Sequence, residues 1–121
     1  MRILVIEDNS DIAANLGDYL EDRGHTVDFA ADGVTGLHLA VVHDFDAIVL
    51  DLNLPGMDGL ELVETLRRRR VSLPALLITT QPTRQVRMRA QKAGVGIVEK
   101  PLLAETLGDA INRALTAPPP G

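Results

Sequence analysis

The chain has 121 residues, of which 45% are hydrophobic and 24% are charged, and its formal net charge is −5. This length and balance predict one globular domain with a single core. Cysteine is absent, which excludes disulfides, thiolate metal sites and thiol nucleophiles. The acidic balance, with only one tyrosine and two phenylalanines, argues against direct nucleic-acid binding by this domain.

Short apolar runs alternate with helical patterns along the chain. The apolar runs predict strands at residues 2–6, 26–29, 46–50, 75–79 and 96–98. The segments after them predict helices at residues 10–23, 33–43, 59–69, 83–93 and 103–116. Strict alternation of strand and helix predicts a parallel sheet with helices on both faces. Five such units fit a flavodoxin-like doubly wound α/β fold with strand order 2-1-3-4-5.

The apolar patterns also predict where individual elements lie. The alternating second strand is expected near an edge of the sheet, and the most apolar third strand near its centre. Glycines 24 and 94 are placed to end the first and fourth helices. In the second helix the spacing predicts that four apolar residues face the core, namely Val34, Leu37, Ala40 and Val41.

The ends of the chain suggest its organisation. These elements are expected to form one domain over residues 1–116, followed by a Pro-rich tail or linker stub at residues 117–121. Because Met1 and Arg2 lead directly into the first strand, we expect no signal peptide. The apolar runs are too short to span a bilayer, so we expect no membrane partner and a cytoplasmic location.

Polar side chains follow four of the predicted strands. Glu7 and Asp8 follow the first strand, Asp51 the third, Thr79 the fourth and Lys100 the fifth. Because the carboxyl ends of parallel strands share one edge of a sheet, these side chains are expected to meet there. Three carboxylates, a hydroxyl and an ammonium are the components of a metal-assisted phosphoryl-transfer site.

Each of these residue types has a role in that chemistry. The Asp51 carboxylate can attack phosphorus and form an acyl phosphate. Glu7 and Asp8 can supply carboxylates for Mg²⁺, and Asn53 can offer a backbone carbonyl to the same ion. Lys100 brings a compact positive charge for phosphoryl oxygens. The Thr79 hydroxyl can follow a new phosphoryl oxygen and move the loop behind it.

Four stretches of the chain together resemble the receiver domain of bacterial two-component response regulators. They cover residues 3–9, 51–59, 78–80 and 99–101. The resemblance implies that Asp51 accepts a phosphoryl group from the phosphohistidine of a sensor histidine kinase or phosphotransfer protein. It implies that Asp8, Asp51 and the Asn53 carbonyl hold Mg²⁺ while Glu7 positions a metal-bound water. It also implies that Thr79 and Lys100 contact the phosphoryl group, and that the domain controls an output such as transcription.

One position departs from the family pattern. Ile97 stands three residues before Lys100, where the family usually has an aromatic switch residue. Isoleucine has no ring and no hydrogen-bonding group. We therefore expect the Thr79 loop to be coupled more weakly, or by other contacts, to the face formed by the fourth helix, fifth strand and last helix.

Three other functions are alternatives to a phosphorylated receiver. A pseudo-receiver would be a protein-binding module that ignores phosphorylation. A phosphatase with an aspartate nucleophile needs a second acid two residues later, where this chain has Asn53, so we expect no enzyme beyond self-phosphorylation and self-dephosphorylation. A flavodoxin-like nucleotide-binding protein would want a phosphate-binding loop after the first strand, where Glu7 and Asp8 stand instead.

Two groups of cations lie outside this site. The run from Arg67 to Arg70 ends the third helix, where the helix dipole favours cations, and we interpret it as solvated surface. The fourth helix is basic and the last helix is partly acidic, a combination that suits either solvated surface or a homodimer through the fourth helix, fifth strand and last helix.

Overall fold

Nine helices and strands are found within residues 1–100 of the computed structural model, which describes those residues together with residues 109, 110 and 113. The strands are β1 (Arg2–Ile6), β2 (Thr26–Ala30), β3 (Ala47–Asp51), β4 (Ala75–Thr79) and β5 (Gly96–Glu99). The helices are α1 (Ser10–Glu21), α2 (Gly33–Val42), α3 (Gly59–Arg68) and α4 (Arg84–Ala93).

All strand pairs are parallel, and the sheet has the order β2-β1-β3-β4-β5. The flavodoxin-like fold predicted from the sequence is therefore confirmed, with β2 at an edge and β3 in the centre. The last helix, predicted at residues 103–116, lies outside the described residues except for 109, 110 and 113, which are helical. The tail at residues 117–121 also lies outside them.

The sheet separates two apolar layers because successive side chains of a strand point to opposite faces. In β1, Leu4 and Ile6 belong to the layer under α2, α3 and α4, whereas Ile3 and Val5 belong to the layer under α1. All five residues of β3 are buried, as expected for a central parallel strand covered on both faces.

The orientation predicted for α2 is wrong in part. Val34 and Val41 are 59% and 43% exposed, and the buried residues of this helix are Gly33, Gly36 and Ala40. The helix is apolar around most of its circumference, so spacing alone does not identify its inner face. The small residues let the helix approach the sheet closely, since a Cβ on Gly36 would lie 2.3 Å from the Ile6 Cδ1 atom.

Capping residues position the helices against the sheet. Asn9 caps α1 by accepting from the backbone N–H groups of Asp11 and Ile12, and Asp58 caps α3 by accepting from the Glu61 N–H. Gly94 ends α4 in the left-handed conformation with φ of 70°, as predicted. Within the described residues, every helix is too short or too polar to cross a membrane.

Candidate functional site

Asp51 is the last residue of β3 and the centre of the candidate site. It is 5% exposed, and Asp51 and Ile78 are register partners on β3 and β4. Its Oδ2 atom accepts a hydrogen bond from the Lys100 ammonium at 3.0 Å, and its Oδ1 atom accepts one from the Asn53 backbone N–H at 3.1 Å. Both carboxylate oxygens are thus oriented by donors from different loops.

Two further carboxylates converge on Asp51 from the end of β1. Glu7, Asp8 and Asp51 each present one oxygen such that these atoms lie within 4.8 Å of one another. Glu7 is buried and Asp8 is exposed, so the group opens to solvent on the Asp8 side. The juxtaposition follows from the register, in which Ile6 and Leu50 are partners immediately before the acids.

The surroundings of Glu7 disfavour its charged form. Burial, together with the neighbouring Asp51 carboxylate, raises the pKa of Glu7 from 4.5 to about 7. The Asn9 backbone N–H and the charge of Lys100 act in the opposite direction. The Glu7 Oε2 atom is buried without a hydrogen-bond partner among the described residues. Three convergent carboxylates, one of which has a buried oxygen without a hydrogen-bond partner, fit a hard cation such as Mg²⁺.

Thr79 and Lys100 lie at the ends of the two neighbouring strands. Thr79 is 3% exposed, and its carbonyl accepts a hydrogen bond from the Lys100 N–H at 2.8 Å. This bond extends the β4–β5 ladder, in which Thr79 and Glu99 are register partners. The structure therefore brings Glu7, Asp8, Asp51, Thr79 and Lys100 to one sheet edge.

Asn53 contributes through its backbone. Its side chain is exposed, and its N–H holds Asp51 as described above. The proposed use of its carbonyl as a metal ligand stays a prediction.

Two residues that support the site had no role assigned from the sequence. Gly59 begins α3, and a Cβ there would lie 2.2 Å from the Asp51 carbonyl oxygen, so only glycine permits this close return of the chain. Asn9, besides capping α1, donates its backbone N–H to the Glu7 Oε1 atom at 3.2 Å. A polar cap residue directly before a helical pattern is the signal that identifies such a position.

Ile97 lies outside the site and is half-buried. It is the register partner of Leu77 and packs against the apolar layer under α2, α3 and α4. Where the family pattern has an aromatic residue, this chain thus has an apolar contact with the core layer that α4 covers.

Comparison with known proteins identifies a family for this arrangement. A family model described as the response regulator receiver domain matches residues 3–112. The transcriptional regulatory protein TctD of Salmonella typhimurium is 40% identical over 116 residues, covering 95% of this chain and 51% of that protein. The transcriptional regulatory protein TcrA of Mycobacterium tuberculosis is 46% identical over 81 residues, covering 67% of this chain and 32% of that protein.

A solved structure gives the same result. The chemotaxis response regulator CheY4 of Vibrio cholerae superposes with a TM-score of 0.86 at 32% identity, covering 94% of this chain and 98% of that chain. The chain spans about a third to a half of the length of the two transcriptional regulators it matches. The pseudo-receiver alternative finds no support in these similarities. The chain belongs to the receiver domain family of two-component response regulators.

Proposed function

We propose that Asp51 is the phosphoacceptor of this receiver and that Thr79 and Lys100 bind the phosphoryl group. Receiver domains are signalling phosphoacceptors that interact with histidine kinases or phosphotransfer proteins. The observation that carries the proposal is the Asp51 carboxylate, held at the end of a buried strand between the Lys100 ammonium at 3.0 Å and two further carboxylates.

The reaction is a transfer between two nucleophiles. An Asp51 oxygen attacks phosphorus, the P–N bond of the phosphohistidine breaks as the P–O bond forms, and the imidazole leaves as the neutral ring after taking up a proton. Lys100 neutralises part of the charge on the phosphoryl oxygens, and the Thr79 hydroxyl donates a hydrogen bond to one of them. Hydrolysis of the acyl phosphate by water returns the carboxylate. The chain thereby promotes only its own phosphorylation and dephosphorylation.

A Mg²⁺ ion bound here would supply positive charge that offsets the repulsion between the phosphoryl oxygens and the site's carboxylates. Asp8, Asp51 and the Asn53 carbonyl are its proposed ligands, with Glu7 positioning a bound water. The buried and unpartnered Glu7 Oε2 atom supports this assignment.

The wider organisation is also proposed. Residues 1–116 would form the receiver domain, and residues 117–121 a Pro-rich tail or linker stub. The similarity to transcriptional regulators favours a cytoplasmic site of action and control of transcription. A homodimer through α4, β5 and the last helix would use exposed residues of α4 such as Arg84 and Met88.

Intact mass spectrometry tests the phosphoacceptor. The native chain, incubated with acetyl phosphate and Mg²⁺, is expected to gain one phosphoryl group, and EDTA should prevent the gain. Asp51→Asn should not gain it, whereas Asp44→Asn, which removes an exposed carboxylate remote from the site, should behave as native. A gain that persists in Asp51→Asn would refute the assignment.

A further inference from the structure

A basic cavity lies at the sheet edge opposite to Asp51. Its volume is about 570 Å³, and it is formed where α3 and α4 end and the chain turns towards β4. The lining includes Arg67, Arg68, Arg70, Ser72 and Lys92, and no acidic side chain belongs to the described lining. This volume falls in the range of small-molecule sites.

Arg67 gives this cavity a fixed guanidinium group. Its Nε atom donates to the Ala93 carbonyl at 2.9 Å, and its Nη1 atom donates to the carbonyls of Val71 and Leu73 at 3.0 and 2.8 Å. Its Nη2 atom is buried and has no acceptor among the described residues. Burial also lowers the pKa of this guanidinium, which remains charged at neutral pH. Its donors are directed into the protein, so Arg67 adds a fixed positive charge to the wall of the cavity, and this charge favours an anionic ligand.

The other cations of the cavity are not neutralised by the protein. Within residues 1–100, 109, 110 and 113, Arg68, Arg70 and Lys92 form no ion pair, whereas Arg87 and Arg89 on α4 pair with Glu99 and Glu64. The φ of Arg70 is 62°, in the left-handed region, which costs free energy for a residue with a Cβ atom. The chain after α4 adopts the same region with a glycine, Gly94. A chain with a net charge of −5 thus concentrates unpaired positive charge in one cavity.

A second cavity adjoins the first and differs in character. Its volume is about 320 Å³, and it shares Val71 and Ser72 with the basic cavity. Its lining combines Val41, Phe45 and Pro74 with the polar residues His43 and Asp44, which are both exposed. The Phe45 ring also contacts the Arg2 guanidinium and the edge of the His43 ring. A compartment that offers an aromatic ring and a proline, next to a cationic one, matches a ligand with an aromatic body and an anionic end.

We propose that the two cavities together bind a small molecule with several phosphate groups and an aromatic body, that is, a nucleoside polyphosphate. The phosphates contact Arg68, Arg70 and Lys92 beside the fixed guanidinium of Arg67, and the base lies against Phe45 and Pro74. The ligand would occupy the edge of the sheet away from Asp51, so its binding is independent of phosphorylation chemistry.

Calorimetric titration of the native chain in EDTA tests this site, with ATP and inorganic tripolyphosphate as the probes. ATP is expected to bind at one site with a dissociation constant of roughly 10–100 μM, and tripolyphosphate roughly tenfold more weakly. Arg68→Ala/Arg70→Ala should weaken ATP binding at least about tenfold, since charge-assisted contacts are lost. The matched control is Arg69→Ala/Arg84→Ala, which removes the same charge from exposed residues that line neither cavity, and it should change the affinity less than about twofold.

Backbone amide spectra give a second readout. Addition of ATP should shift the amide signals of Val71, Ser72 and Ala93 and leave those of Asn9 and Asn53 unchanged. Absence of saturable ATP binding at millimolar concentration, equal weakening in the two double variants, or shifts confined to other regions would overturn the proposal. Equal affinities for ATP and tripolyphosphate would overturn the proposed contact of the base with Phe45 and Pro74. Both double variants should still gain one phosphoryl group on Asp51, so failure here is distinguishable from failure of the phosphoacceptor assignment.

Discussion

Replacement of the buried carboxylate Glu7 by glutamine should change how the stability of the metal-free domain depends on pH. The pKa of Glu7 is about 7 in the folded chain against an ordinary value of 4.5. Between these values the folded state holds a proton that the unfolded state has released. The contribution of Glu7 is therefore most favourable at or below pH 4.5, is lost as pH rises to about 7, and stays lost above that.

The size of this effect follows from the two pKa values. Their difference corresponds to about 3 kcal/mol at most. Because Glu7 lies next to the exposed Asp8, solvent screening reduces the expected effect to about 1–2 kcal/mol. Glutamine does not ionise, and its amide group can donate to a neighbouring carboxylate. The free energy of unfolding of Glu7→Gln, relative to that of the native chain, should therefore rise by about 1–2 kcal/mol from pH 4.5 to pH 8.

Urea unfolding in EDTA at several pH values from 4.5 to 8 measures the difference between the two proteins. The difference is needed because His25 contributes with the opposite sign: burial, the N-terminal amine and Arg23 lower its pKa, so its contribution is lost as pH falls below 6.5. Glu21→Gln, which removes an exposed carboxylate, is the control and should show no such trend. A difference that is independent of pH would refute the reasoning.

The same pair of proteins tests the metal assignment. Mg²⁺ at a hundred times its dissociation constant should stabilise the native chain by about 2.7 kcal/mol. Glu7→Gln should gain less at the same concentration, because it lacks one carboxylate of the group. Equal stabilisation of both proteins would place the ion elsewhere.

Two further predictions concern the end of α3. Arg67→Met should destabilise the domain by about 2–4 kcal/mol, because three backbone carbonyls lose their donor; Arg67→Lys should recover little of this, since an ammonium does not reproduce the fork geometry. Chemical unfolding with Arg69→Met as the exposed control measures both, and full recovery by lysine would contradict the argument. Arg70→Gly should stabilise the domain by about 1 kcal/mol, because glycine adopts φ of 62° without a Cβ clash. The neighbouring Arg69→Gly, at φ of −84°, should not stabilise it in the same assay.

The grouping of the site residues at one edge of the sheet was predictable, because it follows from the apolar pattern of the sequence. Apolar runs of four or five residues define buried parallel strands, and their ends must lie together once the strands are parallel. Asp51, Glu7 and Lys100 therefore meet as predicted from their positions alone. The distances among them, and the unsatisfied Glu7 oxygen, depend on side-chain packing that spacing does not specify.

Features that depend on close packing were harder to predict from the sequence. The spacing of α2 predicts that Val34 and Val41 face the core along with Leu37 and Ala40. The structure instead exposes both valines and buries Gly33 and Gly36, so that the helix can approach the sheet. The role of Arg67 was also hidden, because its acceptors are backbone carbonyls that any residue would supply. The run of arginines looked uniform in sequence, yet one member is fixed inside the protein and Arg69 is exposed.

The contacts of α4 indicate how a receiver without the usual aromatic residue could still be connected to its site. Arg87 pairs with Glu99, the register partner of Thr79 and the residue directly before Lys100. Because this pair is half-exposed, its contribution to stability is small, and its importance is geometric. Ile97 supplies only an apolar contact on the same strand. The prediction that the Thr79 loop is coupled to α4 by other contacts can therefore be applied to one ion pair, Arg87–Glu99. This pair lies at the end of β5, directly before the proposed phosphoryl-binding residue Lys100.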